Sequence, residues 1–187
     1  EVYVRRRKAL LDKMKGERGI ALCIGNVDAP AQYKDNCYKW RQDSTWLYFF
    51  GIDEPRFAAT IDLETGEETI YADDFSIDDI IWMGPMPSVS SLAARVGVSR
   101  TAPYDAMSEA LKGRVVHFVP ASRYATRLKL AELLGLSPYE VTSDGKKGCA
   151  KASRALVEAV VGLRLIKEDV EITALEAACD LGYSMHT

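Results

Sequence analysis

Five apolar residues in a row, Ile20-Ala21-Leu22-Cys23-Ile24, stand between Gly19 and Gly25. The run is too short for an ordinary helix, and no member of it is polar enough to face water. It therefore reads as a strand buried on both faces. Such a strand needs cover above and below, and the flanking segments have the lengths and periods to supply it. Residues 4–14 read as a helix, with Val4, Leu10, Leu11 and Met14 on one side and Gly16 and Gly19 as the stop. Residues 46–50 are rich in aromatics and read as a second strand, closed by Gly51. Residues 57–63 and 68–72 read as a hairpin around Glu64-Thr65-Gly66-Glu67. Ser76 and Asp79 have the spacing of a partial capping box at the start of a short helix. Gly84-Pro85-Met86-Pro87 then breaks the chain.

Residues 88–95 and 105–111 read as short helices, and 114–119 as a strand ended by Pro120. Ser122 is expected to cap a helix through Leu134, with Tyr124, Leu128, Ala131 and Leu134 facing inward. Residues 148–163 read as a long helix with a stripe of Ala152, Ala155, Leu156, Ala159 and Val160. Lys167-Glu168-Asp169 leads into a last helix, lined on one side by Ile172, Leu175, Ala178 and Gly182. Its periodic pattern runs to the final residues with no stop signal, so a longer parent protein is expected. A segment preceding Glu1 stays an open possibility. Strands alternating with helices imply an α/β layer arrangement.

Charge and composition narrow the function classes. Lys plus Arg is 24 against 27 for Asp plus Glu, so no general nucleic-acid surface is expected. The one basic block, Arg5-Arg6-Arg7-Lys8, reads as a solvated helix face, with an anion patch as the alternative. No apolar run approaches the ~20 residues of a membrane span. Four cysteines, at 23, 37, 149 and 179, form neither a CxxC pair nor a framework, so free buried thiols in a reducing, cytoplasmic setting are expected. His117 lies inside a predicted strand and reads as structural. There is no HExxH, nucleotide fingerprint, P-loop or GxSxG elbow. Asp73-Asp74 and Asp78-Asp79 form the densest acidic patch. They read as a solvated helix start, and a hard-cation site is the lesser alternative. No catalytic residue and no metal ligand is assigned.

The most unusual local chemistry is the stretch from Lys39 to Gly51, where long polar groups alternate with aromatics. Arg41 and Asp43 are expected to join a hydrogen-bond network that shapes a loop, or else to form a binding surface. Trp82, beside a rigid turn, is either an exposed contact residue or part of the core.

These segments carry a resemblance. Arg41-Gln42-Asp43-Ser44, Tyr48, Gly51, Glu54 and Pro55 resemble the RQxSxxxYxxGxxEP pattern of the N-terminal domain of Xaa-Pro aminopeptidase, also called aminopeptidase P. Ile81-Trp82-Met83-Gly84 is similar to that domain's Trp-x-Gly turn. Arg6-Arg7-Lys8-Ala9-Leu10 is in register with its opening. Leu163-Arg164-Leu165-Ile166-Lys167, followed by Glu171-Ile172, is similar to its linker. The resemblance implies the creatinase/prolidase N-terminal domain fold: a three-layer α/β architecture, a mixed sheet flanked by helices in a ribonuclease H-like layout. It also implies domain bounds of 1–163, with 164–187 as linker and first helix of a pita-bread catalytic domain.

The family's chemistry would lie in that following domain, where two divalent metal ions, typically manganese, are held by two Asp, one His and two Glu. A metal-activated water there attacks the bond before proline. The present residues would then carry no cofactor and no activity of their own. Their expected part is in homo-oligomer (dimer) contacts and the entrance for proline-second peptides, with Trp82, Arg41, Asp43 and Tyr48 as candidates. Trp82 resembles a tryptophan that in some members reaches toward a neighbouring subunit's pocket. The sequence departs from the family pattern in Gly84-Pro85-Met86-Pro87, where many members have Gly-Arg and a further basic residue. The alternatives are a prolidase-like or creatinase-like parent, or a non-enzymatic interaction domain of the same fold.

Overall fold

The computed structural model describes residues 1–33, 36–141 and 152–186. The apolar run forms strand β1 (Ile20–Ile24). It pairs antiparallel with β2 (Ala58–Asp62), which pairs antiparallel with β3 (Glu68–Tyr71). Two short parallel edges complete the sheet: β4 (Arg100–Ala102) beside β3, and β5 (Val116–His117) beside β1. The order is β4-β3-β2-β1-β5. β4 has no signal in the sequence, because it is three residues long and its members are polar or small.

Alternate residues of the strands feed two separate cores. Ala21, Cys23, Ala59, Ile61, Ile70 and Ala72 face one side. There they meet α1 (Val2–Lys13), α2 (Ser44–Phe49), α4 (Val89–Arg95) and α7 (Arg154–Arg164). Ile20, Leu22, Ala58 and Tyr71 face the other side, against α5 (Met107–Leu111) and α6 (Tyr124–Leu134). The result is a mixed sheet between two helical layers, as expected. The remaining helices are α3 (Ile77–Met83) and α8 (Asp169–His186).

Several local expectations change. Residues 46–49 belong to a helix, not a strand, and Phe50 is its C-cap residue. Asp43 accepts hydrogen bonds from the amides of Thr45 and Trp46, which starts a helical turn. Trp46 then stacks on Phe50, four residues on, with ring centroids 4.6 Å apart. Cap and burial together override the β preference of aromatics. The strand expected over 114–119 shrinks to two residues, because the carbonyl of Phe118 accepts the Ser153 amide and leaves the ladder. Ser122 caps nothing: α6 starts at Tyr124 with Arg123 as its N-cap residue and no side-chain cap. The Arg127 guanidinium holds the carbonyls of Ala121 and Ser122. With the helix so turned, Leu130 and Ala131 are buried, while Tyr124 and Leu128 are exposed. α7 begins at Arg154, and the 148–151 part of that expected helix lies outside the described residues.

The largest correction concerns the basic run on α1. Arg6 is 7% exposed and Arg7 is 0% exposed. Arg7 donates to the carbonyl of Phe49 at the end of α2 and to that of Val96 after α4, both at 2.9 Å. Its Nε lies 2.9 Å from a Glu68 carboxylate oxygen on β3. That N–H is not aimed along the contact, so the pair acts through charge rather than a linear hydrogen bond. A helix face that looks solvated therefore closes one core.

His117 is buried, as expected of a structural histidine. Its Nε2 donates to the Arg18 carbonyl at 2.9 Å, and its Nδ1 lies 2.7 Å from Ser153 Oγ. Ser153 in turn caps α7 through the Leu156 amide. Among the cysteines, Cys23 is buried, but Cys37 and Cys179 are exposed. The reading of uniformly buried cysteines fails because Cys37 lies on a loop and Cys179 on a helix with no buried residue. Cys149 lies outside the described residues. No helix among the described residues is long and apolar enough to cross a membrane.

Two predictions follow from these contacts. Arg7→Met strands two carbonyls and the Glu68 charge, and is expected to cost about 3 kcal/mol in urea unfolding. Arg7→Lys restores less than half of it, since an ammonium cannot match the planar fork. Separately, Asp62 ties β2 to Arg114 at 2.8 Å. Burial pushes its carboxyl up, but the Arg114 hydrogen bond, the amides of Glu64 and Thr65 and the Thr65 side chain together bring it down to about 2. A depressed carboxyl contributes stability above its unfolded value, near pH 4, and loses it as pH falls toward 2. The urea midpoint is expected to drop over that range, and Asp62→Asn to flatten the drop.

Candidate functional site

One end of the sheet gathers nearly all the unusual residues. Ile24, Ala58, Tyr71 and Ala102 lie side by side across β1, β2, β3 and β4. The loops that leave β1, β3 and β4, and the loop that enters β2, therefore share this edge. In α/β sheets the crevices outside the carboxyl ends of strands are the usual ligand sites.

The motif residues form a knot there, and its hub is Gln42. The Gln42 side chain is buried. Its Oε1 accepts from the amides of Asn26 (2.6 Å) and Asp43 (2.8 Å). Its Nε2 donates to the carbonyl of Glu54 at 2.8 Å. Asn26 returns a bond from its side chain to the Arg41 carbonyl, and Trp46 Nε1 donates to the Ile52 carbonyl at 2.7 Å. One amide thus ties the loop after β1, the start of α2 and the loop before β2. Gly51 is required beside it: at φ +63° an added Cβ would overlap the Tyr3 ring. Gln42 lies within the motif and is not among the candidate site residues. The available signal was its chemistry: a side chain that both donates and accepts, set between two turn-rich loops.

The four candidate residues are not brought into one site. Asp43 caps α2. Tyr48 is buried on the far part of α2, under the Arg6 guanidinium at 4.0 Å from its ring centre, and its hydroxyl donates to the Leu163 carbonyl. Burial pushes its phenol up, while the charge of Arg6 opposes the shift. Arg41 is exposed, and its backbone rather than its side chain enters the knot. Trp82 lies apart from α2, on α3, and is 87% exposed. Nearby, Glu54 has its carboxyl raised by burial and by the neighbouring Asp53 charge.

α3 presents an exposed apolar surface. Ile77, Ile81, Trp82 and Met83 all face solvent, and no residue of the helix is buried. The capping box is complete: Ser76 Oγ accepts the Asp79 amide, and Asp79 accepts the Ser76 amide. Asp therefore does the work usually given to Glu at that position.

Among the described residues no group of three or more His, Cys, Asp and Glu side chains converges. Asp73 accepts the Tyr104 amide and Asp74 the Val89 amide, so the acidic patch is engaged in fastening loops. A cavity of about 40 Å³ lies under β1, lined by Cys23, Asp43, Trp46 and Phe118. It is large enough for water and too small for a substrate. Burial, with the Asp43 charge added, pushes the Cys23 thiol up to about 12 against the opposing charge of Arg7, which makes it unreactive. An open cleft of about 450 Å³ lies between residues 27–30 and 123–126.

The knot and the cap can be separated by mutation. Gln42→Leu leaves two amides and a carbonyl without partners and is expected to cost about 3 kcal/mol in urea unfolding. Asp43→Ala removes one cap and should cost about 1 kcal/mol. Equal losses would show that Gln42 is not the hub.

Comparisons with known proteins bear on what this arrangement is. The sequence profile of the family described as aminopeptidase P, N-terminal domain, matches residues 3–117. The chain is 24% identical over 176 residues to the "Probable Xaa-Pro aminopeptidase" of Ajellomyces capsulatus strain H143, covering 90% of this chain and 31% of that protein. The chain thus spans about a third of the length of the relatives it matches. Among solved structures, a variant of Escherichia coli aminopeptidase P superposes with a TM-score of 0.71 at 21% identity, covering 95% of this chain and 41% of that one. The Pseudomonas aeruginosa aminopeptidase PepP superposes with a TM-score of 0.59 at 20% identity, covering 71% of this chain and 31% of that one. These likenesses agree on the fold, and the profile match extends over most of the chain. The chain belongs to the aminopeptidase P N-terminal domain family.

Proposed function

We propose that this chain is the non-catalytic N-terminal domain of a metal-dependent Xaa-Pro aminopeptidase, an enzyme that removes the residue preceding proline. On this reading residues 1–163 form the domain, and 164–187 are the linker and first helix of the catalytic domain. Hydrolysis belongs to that following domain, with two divalent ions, manganese in the first instance. The domain itself contributes contacts between subunits and one wall of the entrance for proline-second peptides. Support for the enzyme class comes from relatives of that name aligned over nine-tenths of the chain.

The observation that carries the contact role is α3. A helix held by a capping box yet burying none of its own residues leaves Ile77, Ile81, Trp82 and Met83 in water. A patch of this kind is a signature of a surface that another polypeptide covers. Arg41, exposed beside the knot, adds a cation at the same end of the sheet.

Two measurements test the proposal. The parent protein with manganese should release the first residue from tripeptides with proline second, and the 187-residue chain alone should release none. Release by the chain alone, or a parent that cleaves dipeptides only, overturns it. In sedimentation, Ile81→Ser with Trp82→Ser should shift the parent from dimer to monomer while its circular dichroism is unchanged. An unaltered dimer would place the contact elsewhere.

A further inference from the structure

The junction between α7 and α8 is gripped from two sides. From α2, the Tyr48 hydroxyl donates to the Leu163 carbonyl at 3.0 Å, and Thr45 Oγ1 accepts from Arg164 at 3.2 Å. From α1, Arg6 lies 2.8 Å from a Glu168 carboxylate oxygen and 3.5 Å from Glu171, and Arg5 lies 2.9 Å from the other Glu168 oxygen. Arg6 is itself locked: it lies over the Tyr48 ring and donates to the Tyr48 carbonyl at 3.0 Å. Glu171 also accepts the Glu168 amide, which closes the first turn of α8.

Beyond that turn no residue of the helix is buried. α8 runs for 18 residues and buries none of them. A helix that buries none of its residues takes its direction from where it is clamped, and the Arg6 clamp lies at its root. At 1.5 Å per residue it is about 27 Å long, so a tilt of ten degrees at the root moves its far end by about 5 Å. The root here is polar and charged rather than apolar. Arg6 and Glu168 are mostly shielded from solvent, so their pair is weakly screened, whereas Arg5 is largely exposed and adds little. Burial works to raise the Glu168 carboxyl, but hydrogen bonds from Arg5 and Arg6 outweigh it and hold the group below its ordinary value.

We propose that Glu168 and Glu171, held by Arg6 with Arg5, form a clasp that sets the direction in which α8 leaves the domain. Glu168 is a positioning residue: it acts on whatever follows α8 through the helix. The clasp stands independently of the enzymatic reading, because it rests on contacts within this chain. Where that reading holds, the clasp orients the catalytic domain against the sheet.

The test measures direction rather than stability. Cys179 on α8 is exposed and accepts a nitroxide label, while the Cys23 thiol, buried and pushed up to about 12, does not. With Cys37→Ser, Cys149→Ser and Lys8→Cys, a second nitroxide sits on the exposed side of α1. Pulsed dipolar spectroscopy on the full chain should give one narrow distance peak. Adding Glu168→Gln and Glu171→Gln should at least double its width, with hydrogen-exchange protection of β1 unchanged. An unchanged width in that variant, or an equally broad peak with the clasp intact, overturns the proposal. Loss of β1 protection alongside the broadening also overturns it, since the two glutamates would then be supporting the core.

Discussion

A guanidinium with no access to water organises half of this molecule. Arg7 reaches from α1 to the carbonyl ends of α2 and of the turn after α4, and to a carboxylate on β3. Each of those backbone carbonyls closes an element that has run out of its own donors. An apolar residue at position 7 would fill the space but satisfy none of them. The arrangement depends on the planar fork of arginine, which places several donors in fixed directions at once. One residue earlier on α1, Arg6 repeats the device toward a different set of partners, Tyr48 and Glu168. The aromatic faces of Tyr48 and Phe50 lie within 4.0 and 5.1 Å of these two cations, giving each a partner that needs no further hydrogen bond.

The same economy governs the loops at the carboxyl end of the sheet. Gln42 replaces backbone pairing where three irregular segments meet, and a neutral amide suits that place because it accepts and donates together. A carboxylate could not donate to the Glu54 carbonyl, and an ammonium could not accept the Asn26 amide. This explains why the motif reads as a string of unlike residue types. Arg41 contributes backbone and an exposed charge, Gln42 the hub, Asp43 the cap, and Trp46 with Gly51 the close packing beneath. The motif is an architectural device that fastens the loops at this edge of the sheet.

What the domain leaves unburied is as telling as what it buries. α3 and α8 are both well formed at their starts, through capping by Ser76 and Asp79 in one and by Glu171 in the other. Neither has a buried residue. Their apolar side chains lie on the outside of a body whose two cores are otherwise closed. The two helices therefore differ from the rest of the fold: local hydrogen bonding maintains them, and tertiary burial does not.

Much of this was legible without coordinates. β1 was readable because five apolar residues between glycines leave few other conformations. The β2–β3 hairpin followed from its turn residues, and the start of α3 from Ser76 and Asp79. A mixed sheet flanked by helices followed from the alternation of these elements and from the order of four motifs. Other features depended on partners far away in the chain. Residues 46–50 carry strand-forming aromatics, yet Asp43 and the core behind Trp46 make 46–49 a helix. Arg6 and Arg7 have the local sequence of a wet surface, because nothing near them in the chain announces carbonyls 42 and 89 residues away. Local periodicity reports what a segment can bury on its own, and a charged side chain is buried only when distant groups arrive to neutralise it.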